Sequence, residues 1–109
     1  MNVHISTLSD YKILSIEGRL DAITSAEFEI KLMETIENGS IKVIIDCNDL
    51  TYISSSGLRV FLLGQKKILS KNGELKICNL QALIKEIFDI SGFSTIFSIH
   101  PDLEKAIKA

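Results

Sequence analysis

A run of β-branched residues, Ile41-Lys42-Val43-Ile44-Ile45, is followed shortly by Ile53-Ser54-Ser55-Ser56-Gly57-Leu58, and this succession does most to restrict how the chain can fold. The first segment reads as a strand buried on both faces, which occurs in mostly parallel sheets. Parallel neighbours need a crossover, usually a helix. From Leu58 the apolar positions take helical spacing, with Leu58, Phe61, Leu62, Gln65, Ile68 and Leu69 on one side. Serines at such a junction can cap the free N–H groups of the helix start. The same geometry suits an anion, so a phosphate on one of these hydroxyls would meet backbone donors and the positive end of the helix dipole.

The flanking sequence extends this pattern. Val3 to Thr7 and Lys12 to Glu17 read as two strands turned at Ser9-Asp10, and Gly18-Arg19-Leu20-Asp21 then breaks the strand pattern. Thr24 with Glu27 three places later forms a capping-box pattern, and Phe28, Leu32 and Ile36 make the buried stripe of a helix ending at Asn38-Gly39. The serine helix stops at Lys71-Asn72-Gly73, and Leu75 to Cys78 is the next strand. Asn79 is placed to cap a helix with Leu83, Ile84, Ile87 and Phe88 on one face, closed by Gly92. Ser94 to Ser98 reads as a short edge strand, and Pro101 suits the first turn of a final helix through Leu103, Ala106 and Ile107. The expected order is ββαβαβαβα, an α/β domain over residues 1–109. It has a mixed, mostly parallel sheet of about five strands and about four helices, entered by an antiparallel hairpin.

Composition narrows the function classes. With 109 residues, 46% hydrophobic and 24% charged, the chain is an ordered globular sequence with one core. A net charge of −2 leaves no electrostatic footprint for nucleic acid or an anionic membrane surface. No apolar run approaches the roughly 20 residues of a membrane span, and Met1 to Ser6 lacks the order of a signal peptide, so a cytoplasmic protein is expected. Cys47 and Cys78 belong to no metal-type cluster and are expected as reduced, half-buried thiols. His4 and His100 are isolated, and neither a metal nor a cofactor is expected.

Glu17-Gly18-Arg19-Leu20-Asp21-Ala22, the buried strand ending in Asp46, and Leu50-Thr51-Tyr52-Ile53-Ser54-Ser55-Ser56-Gly57-Leu58-Arg59 together resemble the STAS domain of bacterial anti-sigma-factor antagonists. The resemblance covers essentially the whole chain. It implies a non-enzymatic binding module whose phosphoacceptor is the first serine of the Ser-x-Gly-Leu group, here Ser55. It also implies a partner that is at once anti-sigma factor and serine kinase, with a serine phosphatase as a further candidate partner. The unmodified protein would hold that partner and free a sigma factor for transcription. In the family the residue before the acceptor is commonly Asp, and here it is Ser54. That departure could alter kinase recognition, make Ser54 or Ser56 a competing acceptor, or mark a member that is no longer phosphorylated. Serine replaces aspartate as an N-cap with little loss, so the fold should not suffer.

The resemblance also puts the turn at Asp21 beside the start of the serine helix. There its carboxylate would orient the Ser55 hydroxyl or meet the partner, or else simply help Thr24 begin the next helix. A helical projection lines up Ser56, Arg59, Leu63, Lys66 and Ser70 opposite the sheet-facing stripe, with Val60 close beside. Apolar Val60 and Leu63 beside Arg59 have the composition of an interface core with a basic rim. The expected partner surface is therefore Asp21, Tyr52, Ser54, Ser56, Gly57, Arg59, Val60 and Leu63. The competing expectation is that another helix of the same domain covers part of it.

Other classes fit less well. Asp46 ends a buried strand as a receiver-domain phosphoacceptor does, but Thr7-Leu8-Ser9 and Ile99-His100 lack the acidic pair and the lysine such a site needs. No Ser/His/Asp set, paired carboxylates or Gly-rich phosphate loop points to an enzyme. The runner-up is a constitutive STAS scaffold or nucleotide-sensing subunit of a signalling or membrane-transport assembly.

Overall fold

The two longest strands, β2 (Tyr11–Leu20) and β3 (Lys42–Ile53), run parallel at the middle of the fold in a computed structural model that describes all residues Met1–Ala109. In chain order the elements are β1 (Asn2–Leu8), β2, α1 (Ala22–Glu37), β3, α2 (Ser55–Ser70), β4 (Glu74–Cys78), α3 (Ala82–Ile90), β5 (Ser98–His100) and α4 (Leu103–Lys108). The sheet order is β1-β2-β3-β4-β5, with β1 antiparallel to β2 and every other pair parallel. This is the mixed α/β architecture and element order expected from the sequence.

Alternation along the central strands sorts the core into two layers. Leu14, Ile16, Val43, Ile45, Leu75 and Ile77 meet Phe28, Leu32 and Ile36 of α1, Phe61 and Ile68 of α2, and Phe88 of α3. Phe61 sits at the centre of that layer, 5.5 Å from Phe28 and 5.7 Å from Phe88 between ring centroids. The opposite face is covered by α4, which packs Ala106, Leu103 and Ile107 over Tyr11, Ile13, Ile44 and Cys78. Buried Lys76 holds that helix by donating to the carbonyls of Ala106 (2.8 Å) and Ala109 (3.0 Å). Asp46 pairs with Cys78 in the β3/β4 register, so Cys47, one residue on, points to the other face and the two thiols cannot bridge. Both are free and buried, and burial pushes the Cys78 thiol up to about 12.

Several boundaries differ from expectation for local physical reasons. Strand β2 does not break at Gly18; it continues to Leu20 with φ +102 at Gly18, while β3 bulges opposite it, carrying one extra residue between Asp46 and Asp49 and another between Leu50 and Tyr52. Strand β3 likewise passes Asp46 and runs to Ile53, burying Leu50 and Ile53 while Asn48, Asp49 and Thr51 face solvent. Asp21, not Thr24, caps α1; Thr24 is the reciprocal member of that capping box. Asn79 does not cap α3. It adopts φ +60 and donates through Nδ2 to Asp46 at 3.0 Å, while Gln81 occupies the cap position without capping the helix, its Nε2 donating instead to the Asn48 carbonyl at 3.0 Å. Segment Ser94 to Ser98 forms a 3₁₀ turn at Phe93–Thr95, and pairing begins only at Ser98. Pro101 precedes α4, whose cap is Asp102.

Candidate functional site

The start of α2 is built by hydrogen bonds to the amide, the carbonyl and the hydroxyl oxygen of Ser54. Its side-chain oxygen accepts from the Gly57 amide (3.3 Å), its carbonyl accepts from the Leu58 amide (3.0 Å), and its own amide donates to the Leu20 carbonyl (2.8 Å). Ser54 is thus the N-cap, as its hydroxyl chemistry allows. Ser55 is the first helical residue and is exposed, whereas Ser56 is half-buried. With Gly57 and Leu58 satisfied by Ser54, the amides of Ser55 and Ser56 remain the open donors of this helix end.

Close packing fixes where that helix end sits. A Cβ on Gly57 would lie 2.8 Å from Ile53 Cγ1 and 3.1 Å from Leu20 Cβ, so only glycine lets α2 descend onto the ends of β2 and β3. Leu20 and Ile53 are register partners, which sets the starts of α1 and α2 side by side at the carboxyl ends of the parallel strands. In open α/β sheets ligands gather at that end. Arg19 and Tyr52 are also paired there, the guanidinium lying 4.1 Å from the centroid of the half-exposed ring. One turn into α2, Arg59 has a 68% exposed side chain and reaches Glu29 of α1 at 3.8 Å.

The structure distributes the anticipated residues unevenly. Tyr52, Ser55, Ser56 and Arg59 share the accessible surface at this end of the sheet, and Leu63, half-buried, lies farther along α2. Val60 does not belong to it: only 1% exposed, it is part of the main core, because α2 turns that side towards the sheet. Gly57 is buried as well, and its amide is consumed by the Ser54 cap. The flank of α2 at Gly64 is covered by α1, where a Cβ would lie 2.5 Å from Leu32 Cδ2. Asp21 is committed to its own helix. Its Oδ1 accepts from the amides of Ile23 and Thr24 and from the Thr24 hydroxyl, and chiefly the Thr24 amide bond holds its carboxyl below the usual range.

Two features of the surface escaped the sequence reading. Arg19 faces the site through a bulge that periodicity does not reveal. Helix α3, which starts at the same end of the sheet, turns only Ile84 and Phe88 inward and leaves Leu83 (75% exposed), Ile87 and Ile90 (87%) outward. The usable signal was an apolar set wider than one stripe on a helix of 9 residues. No group of three or more His, Cys, Asp or Glu is arranged to hold a metal, and no helix is long and apolar enough to cross a membrane.

The family model for the STAS domain matches residues 2–106. The chain belongs to the STAS domain family. This STAS domain is 33% identical over 109 residues to BtrV of Bordetella bronchiseptica, named a candidate anti-sigma factor antagonist, covering 100% of this chain and 94% of that protein. A crystal structure of a candidate anti-sigma factor antagonist from Thermotoga maritima superposes with a TM-score of 0.93 at 18% identity, covering 97% of this chain and 92% of that one. The anti-sigma factor antagonist SpoIIAA of Bacillus, solved in its phosphorylated form, superposes with a TM-score of 0.75 at 18% identity over 98% of this chain and 97% of that one. These likenesses show a shared fold, and the bulged end of β3 beside β2, with the serine cap, is how this sequence realises it.

Proposed function

We propose that this STAS domain is a phosphorylation-controlled anti-sigma-factor antagonist, a binding module rather than an enzyme. Unmodified, it holds an anti-sigma factor that is also a serine kinase and so releases a sigma factor for transcription. Phosphate on Ser55 dissolves the complex, and a serine phosphatase restores it. The observation that carries this reading is the division of labour among the serines. Ser54 spends its oxygen on the cap, Ser56 is half-buried, and Ser55 alone offers an exposed hydroxyl at the helix start. The same division answers the absence of aspartate at position 54: the cap is kept, and the acceptor remains the next residue. The antagonist names carried by relatives over nearly the whole chain support the reading too.

The energetics suit a switch that leaves the domain's shape alone. A phosphoryl group adds roughly −1.5 to −2 charges. At the start of α2 the free domain tolerates it, since the dipole interaction contributes about 0.3–1 kcal/mol in its favour. Under a docked partner the same dianion would be desolvated at high cost. A differential of about 5.5 kcal/mol takes a complex from mostly formed to mostly released.

Incubation with the cognate anti-sigma kinase and ATP, followed by mass-spectrometric mapping, tests the proposal. Phosphate is expected on Ser55. Ser55→Ala should abolish it and stay bound, and Ser55→Asp should weaken the complex, both with unchanged melting. Full-stoichiometry phosphate on the Ser55→Ala protein would overturn the assignment, and no phosphate on the wild type would overturn the switch.

A further inference from the structure

Strand β1 pairs with β2 through all of Asn2–Leu8 without a register shift, and its other edge is open. Open edges are ordinarily blunted by lysine, proline, a bulge or a covering element. Asn2-Val3-His4-Ile5-Ser6-Thr7-Leu8 has no carboxylate, lysine, arginine or proline, and six of its seven residues are exposed. Because the hairpin closes over the two-residue turn Ser9-Asp10, Leu8 and Tyr11 form a hydrogen-bonded pair. By alternation, Val3, Ile5 and Thr7 direct their N–H and C=O groups away from β2. All three are β-branched, the residue type that best fits a pleated pair, and Ile5 at the midpoint is 46% exposed.

We infer that this edge binds a second copy of the chain, β1 against β1 in antiparallel register about Ile5, joining two five-stranded sheets into one. Self-pairing is favoured by the strand itself. It is uncharged, so identical strands meet without like-charge repulsion. Charges of both signs flank each end: Lys12 bonds Thr7 at 3.2 Å with Asp10 in the adjoining turn, and Glu17 bonds Asn2 at 3.0 Å next to the Met1 amino terminus. Neither end therefore opposes an identical mate, and the antiparallel order brings Lys12 of each copy towards Glu17 of the other, which a parallel order would not. The opposite sheet edge, β5, has only 3 residues, so a head-to-tail chain of sheets would gain less pairing than the closed two-fold. A contact of one strand pair is small, so the dimer is a weak, concentration-dependent one. Strand β2 separates it from β3 and the start of α2, and both Ser55 hydroxyls stay exposed in the pair.

Sedimentation velocity on the wild-type chain over a series reaching millimolar concentration should show the mass rising towards twice the protomer's. In the same series, amide exchange should slow at Val3, Ile5 and Thr7. Ile5→Lys should lose the dimer while keeping the wild-type circular dichroism and melting. Thr7→Pro, which removes an outward N–H together with the exposed Thr7 hydroxyl that Lys12 bonds, should lose it as well and serves if the lysine variant does not fold. A wild type that stays monomeric throughout, a Thr7→Pro protein that dimerises fully, or concentration-dependent protection confined to α3 would overturn the inference.

Discussion

The amide of Ser54 donates to the carbonyl of Leu20 at 2.8 Å, so the cap of α2 is tied to the last residue of β2 as well as to its own strand. Ser55 therefore inherits its position from two strands at once. Whatever disturbs the packing of Leu20 on Ile53 and Gly57 should move the Ser55 hydroxyl without touching it.

Gly57→Ala tests that dependence. A methyl 2.8 Å from Ile53 Cγ1 and 3.1 Å from Leu20 Cβ meets atoms close to the backbone that cannot swing aside. Overpacking of this kind costs about 1–3 kcal/mol and outweighs the gain of about 1 kcal/mol in helix propensity. Urea denaturation should show a lower midpoint, and phosphorylation of Ser55 should slow. An unchanged midpoint would mean that the helix start has slack.

Asp21 should behave as a cap. Its Oδ1 serves the amides of Ile23 and Thr24, so Asp21→Ala should lower the melting temperature more than Asp21→Asn, which keeps an accepting oxygen. The folded carboxyl titrates below its ordinary value of 3.8, so the charged form is the one that folding favours. Its stabilisation is present above pH 3.8 and fades as the pH falls through the lower folded value. A wild type and an Asp21→Asn variant with identical acid unfolding profiles would contradict this.

Two neighbours on α2 should separate cleanly. Arg59→Glu, on a 68% exposed side chain whose ion pair with Glu29 is exposed too, should leave melting within about 0.5 kcal/mol of wild type. It should weaken anti-sigma factor binding by about 2 kcal/mol, roughly thirtyfold, if the partner covers this face. Val60→Glu, at a residue 1% exposed, should instead fail to fold by circular dichroism. Equal binding by wild type and Arg59→Glu in titration calorimetry would move the interface elsewhere, with Leu83 and Ile90 of α3 as the next surface to alter.

The α4 face should make the fold sensitive to alkali. Burial raises the Cys78 thiol from 9.0 to about 12, and burial followed by the Glu74 hydrogen bond raises the Tyr11 hydroxyl from 10.0 to about 12. Both groups are favoured in their protonated forms, so their stabilisation is complete below pH 9 and is lost between there and about pH 12. Denaturation midpoints should fall over that window, and Cys78→Ala should flatten the fall. A pH-independent midpoint would contradict the burial of these groups under α4.

The order of strands and helices was written in the periodicity: β-branched runs cannot sit as surface helices, and Phe28, Leu32 and Ile36 cannot leave one helical face. The serine cluster was equally legible, because a hydroxyl before an apolar helical repeat has one obvious use as a cap. What local pattern could not decide was where paired strands stop. Gly18 and Asp46 look like breaks taken singly, yet β2 and β3 carry each other past them, since a bulge costs less than leaving Leu20, Leu50 and Ile53 in water. Nor could a projection of α2 alone know that α1 and the sheet both press on it, which buries Val60 while Arg59 stays in solvent. The bonds that make Asp21 a cap and that spend the Ser54 oxygen on Gly57 are local, but several hydroxyls and carboxylates compete for each such place, and the tie of the Ser54 amide to Leu20, distant in sequence, fixes where the start of α2 lies. Residue identity limits who can make such bonds, and only the packed chain selects who does.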